Sequence, residues 1–486
     1  MNITVWLALC AAAAMPLVSQ ASAGPTALPP APAPQVAPAK MAYPEPPPPS
    51  DPDRLGWGVQ RTMTLLATST PTHHNTVRIL FYGQSITEQN WSRQVADDLR
   101  RRFPNADLRI ENRAIGGFAD QLLRRPAEHD LYPFYPDLLI FHVYGGNQEY
   151  EEIIKNVRTR TASEVLMQLD HATFWPLGTP EAATRQVAED DGTRWDRQMN
   201  TQFLPDIARR YGCGLADVRG GWLDYLRANS LQPSALLQDG VHLNAWGNSV
   251  MARQIERYLV YRPELPKVDW QGLSHTYLVG KDARGQGGRL TLAFRGNRLD
   301  ALPALARSGV ARSARVLIDG QPPSQRNLFY FTRPQPDPWS TLALVRVDHD
   351  KPLQAEDWTL TVSSVTPDGK GWDYNVSGSK TGPDGSGSTD AVFLSRSGRV
   401  RIDPKDFFRP PDSFHPAPVP VGYTIRWKAV PLFADAVVPP AAPDPTRDQA
   451  ETLAQGLTNG PHTVTLIFDG PGAPPVRALR SFAPPR

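Results

Sequence analysis

The stretch VRILFYGQSIT (77–87) decides the fold. Its first seven residues are almost continuously apolar, end on Gly83, and run directly into Ser85 and a helical pattern. A strand apolar on both faces belongs to a parallel sheet with helices on either side. Working outward, four more runs repeat the signal: DLRIEN (107–112), LLIFHVYG (138–145), EVLMQLD (164–170) and GLADV (214–218). Between them apolar residues recur at helical spacing, as Trp91, Val95 and Leu99, then Tyr150, Ile153, Ile154 and Val157, then Trp195, Met199 and Phe203. Val250, Met251, Ile255 and Leu259 close the series. Alternating strand and helix patterns predict an α/β unit with a parallel sheet.

In such sheets ligands bind beyond the carboxyl ends of the strands, so the loops there deserve inspection. The first strand ends in Gly83-Gln84-Ser85-Ile86-Thr87, a tight turn that places a hydroxyl at a helix N-terminus with free N–H groups. The second ends in Asn112-Arg113-Ala114-Ile115-Gly116-Gly117, a source of unobstructed backbone donors, and the third in Gly145-Gly146-Asn147, an amide donor. Far downstream, Asp239-Gly240-Val241-His242 stands just before the last helix. A nucleophilic serine needs a base, the base an orienting carboxylate, and the oxyanion a set of donors. Each motif alone is weak. A lone G-x-S-x-T fills turns everywhere, Asn147 could cap a helix, and a second D-x-x-H occurs at Asp412–His415 among prolines. Together, in order and at successive strand ends, they point to ester chemistry.

These four blocks resemble the SGNH (GDSL-type) hydrolase superfamily over roughly Val77 to Tyr261. The resemblance implies a flavodoxin-like three-layer αβα unit. It also implies that Ser85 is the nucleophile, His242 the base and Asp239 its orienting partner. Gly117, Asn147 and the N–H of Ser85 itself would form the oxyanion hole. Two positions depart from the pattern: Gln84 stands where the family has Asp after the glycine, and Gln148 where Asp follows the third-block Asn. Asp170-His171 ends the fourth strand, and His171 is read as structural or as lying near substrate.

The 51 basic residues nearly balance 49 acidic ones, for a net charge of +2, which disfavours nucleic acid as the partner. No apolar run is long enough for a spanning helix. Two cysteines, Cys10 and Cys213, exclude a disulfide framework. The sequence calls for no cofactor and no metal, offering neither a phosphate-binding glycine loop nor a metal-ligand spacing. It carries no signal for an oligomeric state. Residues 1–23 read as a signal peptide ending Ala21-Ser22-Ala23, so a periplasmic or secreted location is expected. Residues 24–54 read as a proline-rich linker, with eleven prolines between Gly24 and Ser50.

The hydrolase unit is expected over 55–263. From 264 to 486 the texture changes to alternating strands broken by Gly and Pro, an all-β sandwich or jelly roll. The segment Leu457 to Val464 resembles a hairpin of galactose-binding-like jelly rolls that accompany carbohydrate esterases. A helix is expected only near Arg447–Leu457, and Thr366–Asp390, rich in Gly, Ser and Asp, reads as a mobile insertion. The β unit is taken as a positioning surface outside the chemistry. The expected activity is removal of O-acyl groups, acetyl above all, from an acylated carbohydrate. A polysaccharide O-acetyltransferase and a lipid or aryl esterase are the alternatives on the same residues.

Overall fold

A computed structural model describes residues 43–267, 270–304, 313–336, 338–339, 341–440, 444–468 and 474–486. The expected leader and residues 24–42 of the proline-rich segment lie outside the described residues.

Five strands, β1 (Thr76–Gly83), β2 (Asp107–Asn112), β3 (Leu138–His142), β4 (Glu164–Gln168) and β5 (Gly214–Ala216), form one parallel sheet in the order β2-β1-β3-β4-β5. That is the flavodoxin-like order, whose switch point lies between β1 and β3. Side chains alternate across the sheet, so each face has its own apolar cluster. Ile79, Phe81 and Ile140 pack with Trp91, Val95 and Leu99 of α2 (Trp91–Arg102) and with Val250, Met251 and Ile255 of α6 (Ala245–Glu256). On the other face, Leu80, Tyr82, Leu139 and Phe141 meet Tyr150, Ile153, Ile154 and Val157 of α4 (Asn147–Arg160). Three shorter or later helices complete the frame of the site: α1 (Ser85–Glu88), α3 (Asp120–Leu123) and α5 (Val218–Ala228). Among the described residues no helix is long and apolar enough to cross a membrane.

The end of the proline-rich segment is no free tether. Tyr43 stacks on Trp246 with centroids 5.4 Å apart. The carbonyls of Pro44 and Pro46 accept from the Tyr225 hydroxyl at 3.1 Å and from Arg257 at 2.5 Å. An extended proline-rich backbone keeps its carbonyls unpaired and so can offer them to side chains.

The remainder is antiparallel β structure. One sheet runs Ala436–Val437, Ala314–Ile318, Glu451–Phe468, Arg289–Pro303, Val476–Phe482, Ser274–Leu278. A second runs Phe329–Phe331, Thr424–Pro431, Glu356–Val365, Trp372–Gly378, Gly382–Ser388. Each has its own apolar cluster, and the second sheet is inserted in sequence between strands of the first. Three local expectations fail here. Arg447–Leu457 contains no helix: Glu451–Phe468 is one long strand bulged between Gln455 and Gly460, its first half paired with Arg298–Ala301. Tertiary pairing overrides the helical propensity of Glu, Leu, Ala and Gln. Nor is Leu457–Val464 a hairpin, since it lies within that strand. The Gly- and Ser-rich 366–390 is ordered as paired strands because its glycines admit aromatic rings. A side chain at Gly387 would meet Tyr374 and Phe393 at 2.8 Å.

Candidate active site

The register of β1 on β3 sets Gly83 level with His142, so the loops after both strands open at one edge of the sheet. Gly83 has φ +159, and any Cβ there would lie 1.9 Å from the His142 carbonyl, so the chain can turn this tightly only as glycine. The turn delivers Ser85 as the first residue of α1, where its N–H has no intrahelical partner.

Ser85 Oγ lies 2.9 Å from His242 Nε2, and His242 Nδ1 lies 2.9 Å from Asp239 Oδ2. The other Asp239 oxygen accepts the N–H groups of Val241 and His242, both at 2.7 Å. Partial burial works to raise the Asp239 carboxyl, but these two N–H groups and the His242 ring hold it below the usual carboxylate range. A charged Asp239 keeps the proton of His242 on Nδ1 and leaves Nε2 facing Ser85 as an acceptor.

Of the proposed oxyanion donors, Gly117 sits in a left-handed conformation at φ +72. The neighbouring Gly116 N–H donates to Glu88 at 2.8 Å, while no described residue takes the Gly117 N–H. Asn147 opens α4 and stands exposed beyond β3. Gly145 and Gly146 before it rest on Asp120: Gly146 N–H donates to Asp120 Oδ1 at 2.8 Å, and a Cβ on Gly145 would strike that carboxyl at 2.0 Å. Asp120 is fully buried, and desolvation pushes its carboxyl up to about 8, so it is held neutral beneath the loop that carries Asn147. Gln84 is buried, with its Oε1 unpartnered among the described residues, and Gln148 is solvent-exposed on α4.

Behind His242 lies a second histidine. His171 is buried against Trp222, and burial lowers its pKa to about 4, so the ring is neutral. Its Nε2 donates to the Val241 carbonyl at 2.9 Å. His171 therefore braces the turn that presents both Asp239 and His242. Next to it, Asp170 lies 3.1 Å from His142 Nε2 and is held by Asn200, which donates to Oδ2 at 3.1 Å and accepts the Asp170 N–H at 2.7 Å. Asn200 reaches Asp170 from a π turn over Met199–Phe203, the kind of bulge that redirects a side chain inward.

The β region, expected to lie outside the chemistry, touches the loop that carries Gly117. Trp339 donates from Nε1 to the Gly116 carbonyl at 2.6 Å, and a side chain at Gly117 would begin 2.3 Å from its ring. The indole is 37% exposed and packs on Phe408 and Phe414, with centroids at 5.4 and 5.1 Å. Phe414 belongs to the second D-x-x-H, a short turn over Asp412–Phe414 whose role here is to back Trp339. Further ties hold the two regions together. Arg333 bridges Asp130 at 2.6 Å and the Arg113 carbonyl at 3.1 Å. His129 links the Phe331 carbonyl at 2.8 Å with the Val347 N–H at 3.1 Å. Neither Asp120 nor the Trp339 contact was read from the sequence. A lone Asp after an aromatic and an alanine carries no motif, and Trp339 meets Gly116 across 223 residues.

No protein-family model matches the chain, and no curated protein matches its sequence. Among solved structures, the chain is similar to a catalytic mutant of Axe2, an acetylxylan esterase from Geobacillus stearothermophilus. The identity is 17%, over 39% of this chain and 97% of that one, with a TM-score of 0.33. It is similar at 14% identity to a two-domain esterase, CEX, active on acetylated mannans, over 88% of this chain and 96% of that one, with a TM-score of 0.34. LAE5, an alpha/beta hydrolase from the metagenome of Lake Arreo, Spain, matches at 18% identity over 39% of this chain and 98% of its own, with a TM-score of 0.32.

Proposed function

We propose that this chain is a serine esterase of the SGNH type that removes O-acyl groups, acetyl above all, from a carbohydrate. One observation carries the reading: the unbroken hydrogen-bonded line from Ser85 through His242 to Asp239, at the carboxyl edge of the parallel sheet. In this mechanism His242 takes the Ser85 proton as Oγ attacks the acyl carbonyl. The oxygen's new charge meets the N–H groups of Ser85 and Gly117 and the amide of Asn147. Collapse expels the sugar hydroxyl with the proton from His242, leaving an acyl-serine. Water, deprotonated by His242, then releases the acid and restores Ser85.

The carbohydrate is inferred from the exposed indole beside Gly117, since a flat aromatic face with a polar edge suits a sugar ring. Export is proposed on residues 1–23 alone. The test is acetate release from acetylated xylan, mannan and pectin by the wild type and by Ser85→Ala. Ser85→Ala is expected to lose on the order of 10³-fold or more in kcat, and Asp239→Asn to lose less than His242→Ala. Near-wild-type turnover by Ser85→Ala removes the proposal. Transfer of acetyl to an added glycan without free acetate would favour the transferase instead.

A further inference from the structure

A cavity of about 180 Å³ lies between α3–α4 and the β region, and every residue lining it is ionisable. Five of the eight are cations: Arg124, Arg125, Arg346, Arg401 and Lys405. The other three are aspartates, each already engaged. Arg125 pairs with Asp406, Lys405 with Asp403 at 2.8 Å, and Arg346 with Asp348 at 2.8 Å. Arg124 is met by Glu152 of α4 at 3.2 Å. Arg401 is exposed and has no carboxylate partner among the described residues. The concavity thus holds excess positive charge, in a chain whose overall charge is close to zero. A concave site with a net positive charge attracts an incoming anion.

Both walls of this cavity are built by segments that also touch loops of the candidate active site. Arg124 directly follows α3, whose first residue, Asp120, supports Gly146. At 1.5 Å per residue, Arg124 lies about 6 Å along that helix from Asp120, which holds the loop bearing Asn147. On the opposite wall, Lys405 and Asp406 precede Phe407 and Phe408, and Phe408 packs on both Phe118 and Trp339. Phe408 thus joins the wall of the cationic cavity to Trp339 and Phe118.

We propose that this cavity is a subsite for a carboxylate, carried on a uronosyl residue of the acylated polysaccharide near the ester to be cut. The proposal rests on the esterase reading and narrows its substrate to acidic glycans. Guanidinium groups suit a planar carboxylate because they offer paired N–H donors, and the Arg401 guanidinium meets no acceptor among the described residues.

Initial rates on an acetylated glucuronoxylan and on a neutral acetylated mannan test it, using the full chain and Arg401→Gln at low ionic strength. The wild type is expected to show the lower KM on the glucuronate-bearing polymer. Arg401→Gln is expected to raise that KM about 5- to 10-fold, leaving kcat, the mannan KM and p-nitrophenyl acetate hydrolysis unchanged. Equal KM values on the two polymers, or an equal effect of the variant on both, overturn the subsite. Inhibition by free sulfate or phosphate without discrimination between the polymers would mark an anion site unconnected with substrate, and also overturns it. Failure to release acetate from any polymer, with p-nitrophenyl acetate inert as well, would sink the esterase reading instead.

Discussion

The neutral imidazole of His171 donates to the carbonyl of Val241, 2.9 Å away and one residue before the candidate base His242. This bond holds the 239–242 turn from the side of the buried His171 ring. A displaced base costs rate without weakening ground-state binding, because misplacement of about 1 Å can cost roughly 10²-fold. His171→Met, which removes the donor, is therefore expected to lower kcat about 10- to 100-fold with little change in KM. His171→Gln, whose amide can place an N–H near the Nε2 position, should recover most of it. Equal activity of the two variants would show that the ring only fills space.

Asp120 gives the fold a pH dependence of definite sign. Its folded pKa is raised to about 8 by burial, against an ordinary value of 3.8. Between these values the folded state holds a proton that the unfolded state has released, so stability falls as pH rises from about 4 to about 8 and is level above. Asp120→Asn keeps a neutral group of the same shape and removes the slope. Its melting temperature relative to wild type is expected to climb across that interval and to plateau above about pH 8. A constant difference at all pH values would mean that Asp120 is charged in the folded protein.

Acyl length follows from the polar rim beyond Asn147. Gln148 is exposed, and Glu149 turns its carboxylate toward Gly146, where an added Cβ would meet it at 2.6 Å. Little apolar surface is left to reward a longer chain, each methylene of which gains about 0.8 kcal/mol only when buried. Thus p-nitrophenyl acetate should be cut with higher kcat/KM than the butyrate. A steady rise from two to eight carbons would point to a lipid substrate.

Much of the α/β unit was legible because its chemistry is local. An apolar run between a polar loop and a glycine reads as a buried strand, and the quoted stretch at 77–83 became β1 at Thr76–Gly83 with only one residue's difference. Ser85, Gly117, Asn147, Asp239 and His242 could be named because each follows a strand end or precedes the last helix. The structure brings Ser85, Asp239 and His242 into hydrogen-bond contact. What stayed hidden depends on distant partners. The bond from His171 to Val241, the proton on Asp120 and the strand pairing of Glu451–Gln455 are all set by packing, not by neighbours in sequence. That first part of the long strand is instructive, since Glu451, Leu453, Ala454 and Gln455 favour helix and are strand only because Arg298–Ala301 lies alongside.

Trp339 is where that hidden, long-range contact bears most directly on function. Its indole closes over Gly117 and bonds the Gly116 carbonyl, so it both walls the site and restrains a loop from which an oxyanion donor is expected. If the β region merely held polysaccharide, Trp339→Ala would spare p-nitrophenyl acetate and harm only the polymer. The contact argues otherwise. Loss of the ring frees the 116–117 turn and admits water, and removal of one oxyanion donor alone costs about 10²- to 10³-fold. A loosened donor should cost less, so Trp339→Ala is expected to lower kcat/KM for p-nitrophenyl acetate by about 10-fold. The loss on acetylated polysaccharide should be greater, because stacking on the sugar goes too. Steady-state kinetics on both substrates, beside melting curves showing the variant folded, check this. Full activity on p-nitrophenyl acetate would confine Trp339 to sugar binding and return the β region to a purely positioning role.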